Sequence, residues 1–201
     1  MKKILPLFSY LLHPLFIPLY GTLVYLFCVE NSFENVQKYL MLIQIVLITI
    51  LIPMLFLYLL KIIGKVDSIM VSDISQRKMP LIIQFFLMAL LILKSITIER
   101  VPELFFFFFG GMVSTFIAIL LLFLKSKASI HMIGIGSLTV FVIGISIHNY
   151  NNMLVPISLL ILLNGVVASS RLAMKAHTVK ELLIGFLLGW IPQLLLFYFW
   201  L

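Results

Sequence analysis

The sequence has little charge, a single cysteine and few groups able to hold a metal. Only 10% of its 201 residues are Asp, Glu, Lys or Arg. No soluble domain of this length stays in water with so few. Cys28 is the one cysteine, so an internal disulfide is excluded and cysteine usage says nothing about redox compartment. The four histidines, His13, His131, His148 and His177, are scattered, and no cluster has metal-ligand spacing. Linkers, low-complexity tracts and repeats are also missing, which predicts one domain over residues 1–201. The aromatic motifs that read bases are absent as well. A net charge of +7 on so apolar a chain therefore points to anionic headgroups or an anionic substrate, not to nucleic acid.

What is present is hydrocarbon. Apolar residues make up 63% of the chain and its mean hydropathy is +1.23. The expected fold is an all-α, polytopic transmembrane bundle of about seven spans in the cell membrane. The first apolar run, Ile4–Val29, is too long for a signal peptide and lacks a small-x-small cleavage site, so it reads as a span bent by Pro14 and Pro18. Further spans are expected at Lys38–Ile63, from Pro80 to about Ile96, and at Leu104–Leu124, His131–Ile147, Leu154–Ala168 and Val179–Leu201. His13 is polar at membrane depth and is open to either a structural or a site role. His148 is expected at the interface opposite His131. The Phe105–Phe109 run reads as packing or lipid contact.

A count of seven brings three polar clusters to one membrane face. They are Arg77-Lys78, Lys127-Ala-Ser129-Ile-His131, and the stretch Ser170–Glu181. In the last, His177 and Glu181 are four apart, so a helix starting near His177 stacks them. The carboxylate can then accept the imidazole Nδ1–H and leave Nε2 free as a base or nucleophile. Arg171 adds a planar, permanently charged fork suited to a phosphate or carboxylate. Gly185 and Gly189 continue the four-residue stripe and predict close helix packing. Singly, each cation could equally be a headgroup anchor.

The order Ser170-Arg171-x5-His177-x3-Glu181 resembles the third motif of the type 2 phosphatidic acid phosphatase superfamily, S-R-x5-H-x3-D, with Glu for Asp. Ala128-Ser129-Ile130-His131 resembles its second motif, P-S-G-H, keeping Ser and His. Arg77 and Pro80 are the remnant of its first motif, K-x6-R-P, and Met70 stands where the family has lysine. The resemblance covers about Arg77 to Gly189. It leaves a six-helix phosphatase-type core as an alternative count. It implies metal-independent hydrolysis of a lipid phosphate or pyrophosphate, with no cofactor. His177 would become phosphorylated, Glu181 would orient it, and His131 would act as general acid and base. Arg171 would serve the reaction, with Arg77, Lys78, Lys127, Ser129 and Ser170 around the phosphate. Lys127 would supply the cation missing at position 70.

Two other readings stand beside this one. The first is a non-catalytic relative that binds or transports phosphorylated lipid. The second is a small transporter or channel, which the lack of an inverted repeat and of midplane charge disfavours. The partners expected are a lipid phosphate and membrane lipids; oligomeric state is not legible. Span parity puts Lys2, Lys3, Lys61, Lys65, Arg77, Lys78, Lys125, Lys127, Arg171, Lys175 and Lys180 on the site face, against Lys38, Lys94 and Arg100 on the other. The positive-inside rule then turns the site to the cytoplasm.

Overall fold

The computed structural model describes residues 5–30, 32–67 and 73–201. Lys2, Lys3 and Met70 lie outside the described residues. The chain is an all-helical polytopic bundle in which seven segments are long and apolar enough to cross a membrane. In order they are α1 (Leu5–Leu11) with α2 (Ile17–Cys28), α3 (Asn35–Val46) with α4 (Ile52–Ile62), α5 (Ile74–Lys94), α6 (Pro102–Phe123), α7 (Ile130–His148), α8 (Leu154–Ala173) and α9 (Val179–Trp200).

The first span is two helices, not one bent helix. Proline disfavours the helical region for the residue before it. His13, before Pro14, is extended (φ −63°, ψ 140°), and a 3₁₀ turn follows at Pro14–Phe16. The second span is broken differently. Pro53 has no N–H to give to the carbonyl four residues back, and the chain relaxes through a π turn at Leu47–Leu51 just before it.

Two boundaries differ most from the sequence expectation. Helix α5 begins at Ile74 and carries Pro80 inside it, where proline has no N–H to give the Gln76 carbonyl. Helix α8 runs to Ala173, so Ser170 and Arg171 lie in its last turn, where a cation is favoured by the helix dipole. Helix α9 starts at Val179, as expected, with Thr178 as its N-cap, two residues after His177.

Helix α7 is the centre of the bundle, and His131, Ser137, Thr139 and most of its apolar residues are buried. Helix α9 lies directly on it. A Cβ on Gly185 would stand 2.5 Å from the Ser129 carbonyl oxygen, and one on Gly189 would stand 2.5 Å from that of Ile133. The two glycines are therefore the contact, as small residues are between membrane helices. This contact lets the Ser129 N–H donate to the Glu181 carbonyl at 3.1 Å, which joins the starts of α7 and α9.

Candidate functional site

Six α-helices and the Pro14–Phe16 turn line a cavity of about 170 Å³. Its polar end carries His13, Arg77, His131, Arg171 and His177. Its inner end is apolar, with Ile17, Met88, Phe107 and Phe108. One wall is α4, through Phe56 and Leu57. Lys127, Lys175, Thr178 and Glu181 surround an outer cup, and His177 lines both spaces.

The His177–Glu181 pair is built by a helix cap. The run Thr178-Val-Lys-Glu181 is a capping box. Thr178 Oγ1 accepts the Glu181 N–H at 3.3 Å, and Glu181 Oε2 accepts the Thr178 N–H at 3.2 Å. The same Oε2 lies 2.8 Å from His177 Nδ1. A carboxylate accepts, so Nδ1 carries the hydrogen and Nε2 keeps its lone pair. The His177 side chain is 1% exposed against 20% for Glu181, so the imidazole is inside while its partner reaches solvent. Burial lowers the His177 pKa from its ordinary 6.5 to about 4, with the bond to Glu181 opposing the shift. The ring is neutral at pH 7.

His131 is held in the same manner by a different acceptor. Its Nε2 donates to the Ser9 carbonyl at 3.1 Å, which leaves Nδ1 as its second functional atom. Ser9 is itself fixed: its hydroxyl donates to Ser170 Oγ at 2.7 Å, and Ser170 donates to the Leu5 carbonyl at 2.7 Å. Helix α1 is thus fastened to α8 and presents one carbonyl to His131.

Arg171 is the largest fully buried side chain, 2% exposed. Among the described residues its Nε has no hydrogen-bond partner, its Nη1 donates to Met174 Sδ at 3.8 Å, and it makes no salt bridge. The Arg77 guanidinium is 5% exposed and close enough to act on Arg171 electrostatically. It donates to the Ala128 carbonyl at 3.4 Å and feels the Glu181 and Asp73 carboxylates. Two guanidiniums in one buried space repel each other. Their planar forks suit an oxyanion, a carboxylate or a phosphate.

Arg77, His131, Arg171 and His177, expected at the site from sequence, meet in this cavity, with Glu181 on His177. Four others are placed elsewhere. Lys127 sits in the outer cup, where it donates to the Ala176 carbonyl at 3.4 Å and lies 3.7 Å from Glu181 Oε2. Lys78 lies 4.7 Å from the Phe123 ring centroid, a cation–π contact outside the cavity. Ser170 uses its proton on Leu5. Ser129 is fully buried with an unpartnered hydroxyl and does not line the cavity.

Two further residue groups shape the cavity. His13 lines the cavity, its ring 5.2 Å from that of His131 and edge-on, while its Nδ1 accepts the Leu15 N–H. Its polarity at membrane depth, beside Pro14, was the signal that left a site role open. Phe107 and Phe108 form the floor, though the Phe105–Phe109 run reads as simple packing. The near-contact of Phe107 with Gly21 that sets its position is long-range. His148 lies at the other end of α7 against Glu103, 3.5 Å away, and Trp200.

The fold and cavity define a class: a multi-pass membrane protein with a buried cationic pocket continuous with an apolar chamber. No protein-family model, curated protein or solved structure matches this chain.

Proposed function

We propose that this chain is an integral membrane phosphatase acting on lipid phosphates, with its site on the cytoplasmic face of the cell membrane. One observation carries the reading. A buried neutral imidazole, pinned through Nδ1 by a carboxylate, faces a cavity that also holds two buried guanidiniums and an apolar chamber. Phosphoryl transfer needs little from a protein beyond such positioning and charge. The resemblance of the Ser170–Glu181 run to the type 2 phosphatidic acid phosphatase motif supports the same reaction.

In this mechanism Arg77 and Arg171 hold the non-bridging oxygens. His177 Nε2 attacks phosphorus, and the bond from phosphorus to the lipid oxygen breaks. That oxygen takes a proton from protonated His131, through Nδ1, and leaves as the lipid alcohol. The phosphohistidine carries a positive imidazolium, stabilised by Glu181. Water then attacks phosphorus and returns a proton to His131. The P–N bond breaks, releasing inorganic phosphate and neutral His177. The residues invoked require no metal or cofactor.

The test is release of inorganic phosphate from a panel of dispersed lipid monophosphates and pyrophosphates by purified protein. The expected result is turnover by wild type and its loss in folded His177→Ala. Tight lipid-phosphate binding without turnover by wild type would favour a binding or transport protein instead.

A further inference from the structure

We infer that Ser170 is a positioning residue and not a phosphate ligand: together with Pro14 it sets the Ser9 carbonyl against His131, and so decides which ring nitrogen of His131 serves the reaction. The inference rests on the phosphatase reading for that reaction; the hydrogen bonds that carry it stand apart from it.

The Ser9 carbonyl is free because of a proline. In a continued helix it would accept the N–H of His13, four residues on, and the Tyr10 carbonyl would accept that of residue 14. Pro14 has no N–H to give. The chain tightens instead, and the His13 N–H goes to the Tyr10 carbonyl at 3.3 Å. Ser9 is left holding one of the unclaimed carbonyls of a helix end. The residue is wholly buried, so its carbonyl needs a donor from within the protein. That donor is His131 Nε2 on α7, 3.1 Å away.

A carbonyl can only accept, so this contact fixes the ring. Nε2 keeps its hydrogen, and Nδ1 is the atom that gains and loses a proton. The bond survives both states, because Nε2–H is present in this neutral tautomer and in the imidazolium alike. The ring is then only as well placed as α1, which has seven residues and is too short to hold its shape alone. Ser170 fastens it. The Ser9 hydroxyl donates to Ser170 Oγ at 2.7 Å, and Ser170 donates to the Leu5 carbonyl at 2.7 Å. Both serines are wholly buried. A hydroxyl has one hydrogen, and Ser170 gives it to Leu5, so none is left for a phosphoryl oxygen. Among the described residues Arg171 lines the cavity and Ser170 does not. Adjacent residues of α8 thus divide the work, one serving the cavity and the other α1.

The test uses full-length Ser170→Ala, Ser9→Ala and Pro14→Ala. First-turnover rates are read with an alkyl monophosphate, whose alcohol needs a proton to leave, and with a phenolic phosphate, whose phenolate does not. Ser170→Ala should slow the alkyl substrate about tenfold and the phenolic one by less than about twofold, part of the full effect of a general acid. Inhibition by inorganic phosphate should move by less than about twofold, because both guanidiniums remain. Ser9→Ala should be milder, and adding it to Ser170→Ala should change nothing further, because the two serines act in series. Pro14→Ala leaves every buried hydroxyl in place but lets the helix reclaim the Ser9 carbonyl, and it should show the same split between substrates. A second readout needs no turnover. The His131 Nε2–H proton resonance in protein with isotope-labelled histidine, assigned by its absence in His131→Gln, should be sharp in wild type and broadened by exchange in Ser170→Ala and Pro14→Ala. Weaker inhibition by phosphate, with both substrates slowed equally in Ser170→Ala, would make Ser170 a phosphate ligand and overturn the inference. A resonance equally sharp in both variants also overturns it. The two readings fail separately. A resonance broadened in the variants, with no phosphate released by wild type from either substrate, removes the phosphatase and keeps the Ser9 contact. Turnover by wild type with an unmoved resonance does the reverse.

Discussion

His177 Nδ1 and Glu181 Oε2 lie 2.8 Å apart across the first turn of a helix, and the same oxygen closes the helix cap on Thr178. One carboxylate thus does two jobs, starting α9 and fixing the imidazole. The substitution Glu181→Gln keeps an acceptor for the cap but removes the charge that stabilises an imidazolium. Turnover should fall about 100-fold or more, as it does when an orienting carboxylate is neutralised in a catalytic triad. Thermal stability should change far less. Equal losses of both would make Glu181 merely structural.

The His177 pKa gives a signed prediction. Unfolded, the ring takes its proton near pH 6.5; folded, it waits until about pH 4. Between these values the unfolded state binds more protons, so stability from this group falls as pH drops from 6.5 to 4. It is fully present above 6.5 and changes no further below 4. Unfolding temperature in detergent, scanned from pH 7.5 to 4, should fall more steeply for wild type than for His177→Asn. Parallel curves would remove the neutral buried imidazole.

Lys127 and Lys125 form an internal control. Lys127 lies on Glu181, whereas Lys125 is exposed and left-handed (φ 56°) after α6. Lys127→Met should lower activity several-fold by loosening Glu181, and Lys125→Met should have no effect. Equal mild losses would make both of them headgroup anchors.

The α7–α9 contact is tested by methyl groups. Gly185→Ala and Gly189→Ala each force a Cβ against backbone and should cost about 1–3 kcal/mol. Gly165, on α8, has nothing within 4 Å of a built Cβ. Gly165→Ala should therefore be neutral, or stabilising by about 0.5–1 kcal/mol. Three similar unfolding temperatures would show that the helices are not in close contact.

Much of this was legible in the chain. The seven apolar segments follow from length and hydropathy alone, and their parity gathers Arg77, His131, Arg171 and His177. Spacing of four paired His177 with Glu181 and Gly185 with Gly189. What the sequence hid was long-range or set by local hydrogen bonds. The Ser9 carbonyl reaches His131 across 122 positions, a contact no periodicity encodes. Lys127, Lys78 and Ser170 were near the cluster in sequence, but each found a closer partner in Glu181, Phe123 or Leu5.

Orientation is testable with two cysteines in a Cys28→Ser background. Lys65→Cys lies on the site face and Asn152→Cys opposite; both positions are exposed. With a cytoplasmic site, an impermeant thiol reagent on intact cells should label residue 152 and spare residue 65 until lysis. The reverse pattern would turn the site outward.

The central claim is that His177 becomes phosphorylated. Purified protein mixed with a lipid monophosphate carrying labelled phosphorus, then quenched in base within a fraction of a turnover, tests it most directly. The account predicts label on wild-type protein that survives base, is lost in acid and maps to His177. It also predicts faster accumulation than decay in His131→Ala with an easily departing phenolic phosphate, because water activation is then slowed more than departure. Inorganic phosphate released at the wild-type rate by folded His177→Ala, or label found on another residue, would contradict it.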